Sequence, residues 1–193
     1  MRRLLILTAA GAAVLAATSA ASTPTPPTTV TAHKITRQPG TLEPGSIVSS
    51  ASLGVRTFVD GKGDGFALAS TQQAQYPAAT TDGGKTWKTD GPALHVNAAQ
   101  APLAIESLSA ANTKTVFAYG GGQSVDVTGD GGKTWWRAFL GDDVPAVIPG
   151  SGHRLVAFAQ ALSGPSGVTS VTWEYVSTDG GRHWHYSTAI GGG

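Results

Sequence analysis

The chain has 193 residues, with 13 Lys and Arg against 12 Asp and Glu, and no Cys. That length fits one domain with a short appendage. The near-neutral, scattered charge offers no basic footprint for nucleic acid or anionic membrane, and the lack of Cys excludes a disulfide framework, a thiolate metal site and a Cys nucleophile. Only 13% of residues are charged while 26 are Gly, a composition that favours a turn-rich β protein over a helical bundle.

Residues 1–22 read as an export signal. Arg2 and Arg3 form a positive start, Leu4 to Ala17 is an apolar run of 14 residues, and small residues from Thr18 to Ser22 offer cleavage frames. The run is short for the ~20 residues of a spanning helix, so no integral membrane span is expected. Loss of Arg2 and Arg3 leaves 11 basic against 12 acidic side chains. Residues 23–45 read as a Pro/Thr-rich linker: STPTPPTT (Ser22 to Thr29) has three prolines in eight residues and favours an extended, solvated tether. Within it VTAHKI (30–35) alternates as one strand, and Pro39-Gly40 and Pro44-Gly45 break the pattern beyond it.

From residue 46 the chain repeats. Thr80 to Trp87 reads TTDGGKTW, Thr128 to Trp135 reads TGDGGKTW, and Ser177 to Trp184 reads STDGGRHW; Asp82, Asp130 and Asp179 are 48 and 49 residues apart. An Asp carboxylate can accept hydrogen bonds from backbone N–H groups just ahead of it. The Gly pair that follows permits the positive φ of a tight turn, the leading hydroxyl joins the same loop, and the closing Trp supplies a large core side chain. Each motif therefore reads as a self-fastened hairpin ending in an anchor.

These residues resemble the Asp box, or bacterial neuraminidase repeat, whose pattern is S/T-x-D-x-G-x-T-W. Asp82, Gly84, Thr86 and Trp87 match it, as do Asp130, Gly132, Thr134 and Trp135; the third copy keeps Asp179, Gly181 and Trp184 but has His183 in place of Thr. The resemblance covers about residues 46–190. It implies a hairpin between the third and fourth strands of a β-propeller blade, with the box at the periphery serving structure. The family includes sialidases, sortilin-type receptors and photosystem assembly factors, so the resemblance points to fold far more than to function.

Three blades of four short antiparallel strands can be drawn, over about 46–95, 96–143 and 144–190. The first has strands at 55–60, 66–70, 76–80 and 86–89, the second at 104–109, 114–119, 124–128 and 134–139, and the third at 145–149, 154–160, 168–177 and 183–188. Propellers usually hold roughly four to eight blades, so three leave a ring unfinished with two apolar faces open. A homodimer completing a six-bladed ring, an open monomeric fan, and a different protein closing the ring all satisfy the count.

No constellation of residues reads as catalytic, and no cofactor is implied. A sialidase-like glycoside hydrolase would need an arginine cluster for the substrate carboxylate. The mature chain has Arg37, Arg56, Arg137, Arg154 and Arg182, of which Arg56 lies on an inner strand facing a central funnel. Glu174 and Tyr175 are neighbours on a strand and so point to opposite faces, a poor nucleophile pair. His183 and His185 flank Trp184 on one face but lack a third metal ligand, and Asp60 to Asp64 reads as a tight turn rather than a calcium loop. Trp135-Trp136 places one ring inward and one outward, so Trp136 beside Arg137, with Arg56, forms the candidate binding set. The expectation is an exported, all-β, non-catalytic module that contacts a protein or glycan, with a sialidase-like hydrolase as the alternative.

Overall fold

Residues 65–70 read GFALAS, apolar on both alternating faces, and a strand of that kind needs cover on both sides. The fold supplies that cover by stacking antiparallel sheets. A computed structural model describes residues 24–59, 61, 63–96, 105–163 and 169–190. The export signal, Asp60 and Lys62 of the tight turn, and Ala104 and Val168 at the starts of two expected strands lie outside the described residues.

The chain begins with three short strands, β1 (Thr29–Thr31), β2 (His33–Lys34) and β3 (Ile47–Val48). After a single 3₁₀ turn at Ser50–Ser52 come β4 (Leu53–Phe58), β5 (Gly65–Ser70), β6 (Ala74–Thr80), β7 (Trp87–Thr89) and β8 (His95–Val96). The second repeat forms β9 (Ser107–Ala110), β10 (Val116–Tyr119), β11 (Ser124–Thr128) and β12 (Trp136–Phe139). The third forms β13 (Asp143–Pro149), β14 (Leu155–Ser163), β15 (Thr169–Ser177) and β16 (His183–Ile190). There is no α-helix among the described residues, and no helix long and apolar enough to cross a membrane.

These strands make three antiparallel sheets, ordered β3-β7-β6-β5-β4, β2-β12-β11-β10-β9 and β1-β16-β15-β14-β13, with β8 pairing β6 beside the first. Each is wider than the four strands expected, because the N-terminal segment adds an edge strand to every sheet. The stretch VTAHKI is not one strand. It breaks at Ala32, so that Val30 pairs Trp184 in the third sheet while Lys34 pairs Trp136 in the second. Ile47 and Val48 then pair Lys88 and Trp87 in the first. Residues 29–34, within the stretch read as linker, are thus part of the sheets: buried Ala32 donates its N–H to Arg182 O at 2.8 Å, and Ile35 to Trp135 O at 2.8 Å.

The sheets stack in chain order. Phe66 and Leu68 of the first pack with Leu94, Ile105, Leu108, Val116 and Trp135, which seals the first sheet to the second. Phe117, Val125 and Val127 of the second pack with Val144, Leu155, Tyr175 and Trp184 of the third. In each case an edge strand of the later sheet lies on the earlier one: β9 against β4 and β5, β13 against β10 and β11. Trp135 and Trp184 are both fully buried at these seams, where removing such a ring from water contributes on the order of 2–3 kcal/mol. Trp87 has no sheet before it among the described residues. It closes instead on its own sheet's Ala67, Ala69, Ala78 and Tyr76, with Phe58 edge-on at 6.0 Å.

Candidate functional site

The three Asp-box loops share one set of bonds, and those bonds set the shape of the surface around them. In the first, Thr80 Oγ1 donates to Asp82 Oδ1 (2.8 Å) and accepts from the Gly84 N–H (3.0 Å), while Asp82 Oδ1 accepts from the Thr86 N–H (2.9 Å). Thr128, Asp130, Gly132 and Thr134 repeat it at 2.8, 3.0 and 2.9 Å. Ser177, Asp179, Gly181 and His183 do so at 2.9, 2.9 and 3.0 Å. The second glycine of each pair has φ of +85°, +94° and +87°, the left-handed region that the turn requires. Where the third copy lacks Thr, His183 Nδ1 meets Asp179 Oδ2 at 2.6 Å, so the imidazole replaces the missing hydroxyl.

These bonds hold the carboxylates in their charged form. The Thr86 backbone and the Thr80 hydroxyl lower the Asp82 pKa to about 2. Burial pushes Asp179 up, but the bonds from His183 and Ser177 outweigh it and bring it down to about 2. Asp130 is lowered in the same way, its partial burial outweighed by Thr134 and Thr128. Each Asp is therefore engaged within its own loop.

A cavity of about 690 Å³ opens between the first and second of these loops, lined by Asp82, Thr86, Lys88, Asp90, Lys133 and Gly45 among others. Asp90 lies at the seam itself. Its carbonyl accepts the Trp135 indole N–H at 3.0 Å, and a Cβ on Gly132 would collide with its carboxylate. Burial, and then the charge of Asp130, push the Asp90 pKa up to about 6, with Lys133 acting in the other direction. The cavity thus presents ammonium groups, hydroxyls and a carboxyl raised above the usual carboxylate range, a set suited to hydrogen-bonding a polar, hydroxylated ligand. A smaller cavity of about 190 Å³ lies between the second and third loops, beside Trp136, His153 and Arg182.

The residues singled out in the sequence do not come together. Trp136 is half-buried against the seam between the second and third sheets, and the Arg182 guanidinium lies over its ring at 5.1 Å. Arg137 is not its surface companion. The Arg137 guanidinium pairs with Asp126, Nε to Oδ1 at 2.7 Å and Nη2 to Oδ2 at 2.6 Å, and also donates to Leu94 O. The reason is parity: Arg137 is two residues from buried Trp135 and so shares its inward face. Arg56 is exposed on β4, bonded to Ser50 O at 3.3 Å, remote in sequence and in sheet from both. Of the remaining arginines, Arg37 pairs with Glu43 at 2.8 Å.

Glu174 and Tyr175 do face opposite ways. Tyr175 is fully buried. Burial and the neighbouring Tyr186 push its hydroxyl up to about 12, and that hydroxyl is the one buried side-chain polar atom without a partner among the described residues. His183 and His185 are both exposed, and among the described residues no three His, Asp or Glu side chains are placed to hold a metal.

Sequence reasoning passed over Asp90, Lys88, Lys133 and Asp126. Asp126 carries a readable signal, an acid between Val125 and Val127 in a strand that is otherwise apolar. Asp90 and the lysines carry none, because they meet only when two loops 48 residues apart are stacked. The chain matches no family model, no curated protein and no solved structure.

Proposed function

We propose that the chain is an exported, non-catalytic binding or scaffolding module of the Asp-box β-propeller type, each sheet being one blade, with a second copy completing the ring. It contacts a protein or glycan through the loop-bearing rim, at the cleft between the Asp82 and Asp130 loops. One observation carries this reading: the box carboxylates, Arg137 and Arg182 are already engaged in building the fold. The box carboxylates bind their own loops, Arg137 is bound to Asp126, and Arg182 lies over Trp136. What remains open is a rigid cleft of hydroxyls and mixed charge, the kind of surface that loops on a sheet scaffold present to ligands. The Arg2-Arg3 leader and the proline-rich stretch after it support export.

The test sets binding against turnover. Incubated with a fluorogenic sialoside, the protein should release no fluorophore above a buffer blank. On arrays of neutral and acidic oligosaccharides and of peptides it should bind a restricted set, with binding reduced in Lys133→Ala. Turnover abolished by Arg56→Ala would establish the sialidase-like hydrolase instead, and flat arrays would remove the binding reading.

A further inference from the structure

We infer that the outward face of the third sheet is the docking site for the first sheet of a second copy of this chain, with Glu174 meeting the partner's Arg56. This rests on reading the sheets as successive blades and specifies how two copies join.

Aligning the repeats on Thr80, Thr128 and Ser177, whose ladder partners are Gly65, Val116 and Leu155, places Phe66, Phe117 and Val156 at one position. Leu68, Tyr119 and Phe158 share a second, and Ala79, Val127 and Val176 a third. In the first and second sheets these positions pack into the seam with the following sheet. In the third, Val156, Phe158 and Val176 are half-buried, with no sheet beyond them among the described residues. Ile148, which pairs Val156, is 52% exposed, and Ile190, which pairs Thr172, is 45% exposed. The third sheet therefore keeps the side chains of a seam without the seam.

The complementary surface is at the other end. Trp135 and Trp184 face the preceding sheet, and the same position in the first repeat is Trp87, which is buried with Ala67, Ala69 and Tyr76 behind Phe58, whose ring is 54% exposed on the end face. An apolar patch alone would admit many partners, but here the missing follower and the missing predecessor belong to the same repeat. Charge agrees with this pairing. Arg56 stands exposed on that end face opposite Ala67, and Glu174 stands half-buried on the third sheet opposite Phe158. Neither carries an ion pair among the described residues. Because β13 lies on β10 and β11, β4 of a following sheet lies on β14 and β15, the strand that carries Glu174.

The five strands of the first sheet, two to seven residues long at ~3.3 Å per residue and ~4.8 Å apart, cover roughly 400 Å². Two such seams per copy reach the ~800 Å² per partner of a stable interface. With two seams related by a two-fold axis, the contact closes on itself rather than running on as a filament.

The experiment is sedimentation or light-scattering mass across a concentration series, on the chain as its host processes it. The expected result is a dimer. Arg56→Glu alone and Glu174→Arg alone should each weaken it about tenfold or more through like-charge apposition, with the far-ultraviolet β signal unchanged. The double exchange Arg56→Glu/Glu174→Arg should restore it, which a merely misfolded variant would not do. A monomer at all concentrations, an open-ended filament, or a dimer indifferent to both reversals overturns the proposal. The sialoside and array results are independent of mass, so the binding reading and the docking can fail separately.

Discussion

Asp90 and the three Asp-box carboxylates titrate in opposite directions, and their balance sets how stability depends on pH. Asp82 and Asp179 sit at about 2 in the folded chain against 3.8 ordinarily, held there by bonds that only the folded loop makes. Their contribution is present above pH 3.8 and is lost as pH falls through 2. Asp90 is raised to about 6 by burial. Its neutral form favours folding fully below 3.8, and that advantage is lost as pH rises through 6. Urea unfolding across pH should therefore show greatest stability near about pH 4. Asp90→Asn should flatten the decline above that point while leaving the acid limb alone. At pH 7 the variant should gain about 1 kcal/mol, after allowance for the water that still reaches the cleft. A loss at pH 7 would show that the carboxylate is stabilised where it sits.

At the scale of an element, the β11–β12 ladder carries an ion pair whose removal should be costly on one side only. Asp126 is 1% exposed and its pKa is raised by burial, with Arg137 opposing. Arg137→Ala would strand that carboxylate and open the bond to Leu94 O, which ties the second sheet to the first. It should cost about 3–5 kcal/mol, whereas Asp126→Leu/Arg137→Met together should be nearly neutral. Thermal unfolding of both variants checks this, and equal losses in the two would mean that packing rather than charge dominates. The ladder also marks how far sequence reading reaches. The box turns are legible because every bond in them spans four residues or fewer. Strand parity was legible too: an inward Trp135 already requires an inward Arg137, and an acid between valines supplies its partner. Their pairing depends on a register across 11 residues and a turn between them, which no local rule fixes.

The whole molecule is held by a segment whose sequence argues against structure. Residues 24–28 include three prolines, and the alternation of VTAHKI marks a single strand where the chain makes two, each of two or three residues and each in a different sheet. What makes them strands lies elsewhere in the chain, in the free outer edges of β16, β12 and β7, which offer unpaired backbone groups to any extended segment nearby. Running along all three edges, the segment ties the third sheet to the second and the second to the first. Deleting residues 24–36 removes β1 and β2 but spares β3, so the effect should be confined. The Tyr186 N–H, which donates to Thr28 O at 3.1 Å, should lose native-state hydrogen-exchange protection by about tenfold or more. The Thr89 N–H, which donates to Ser46 O at 2.9 Å in the first sheet, should keep its protection. If Tyr186 stays protected the segment is only laid on the edge. If Thr89 loses protection as well, the three sheets open as one cooperative unit and the strap is what makes them so.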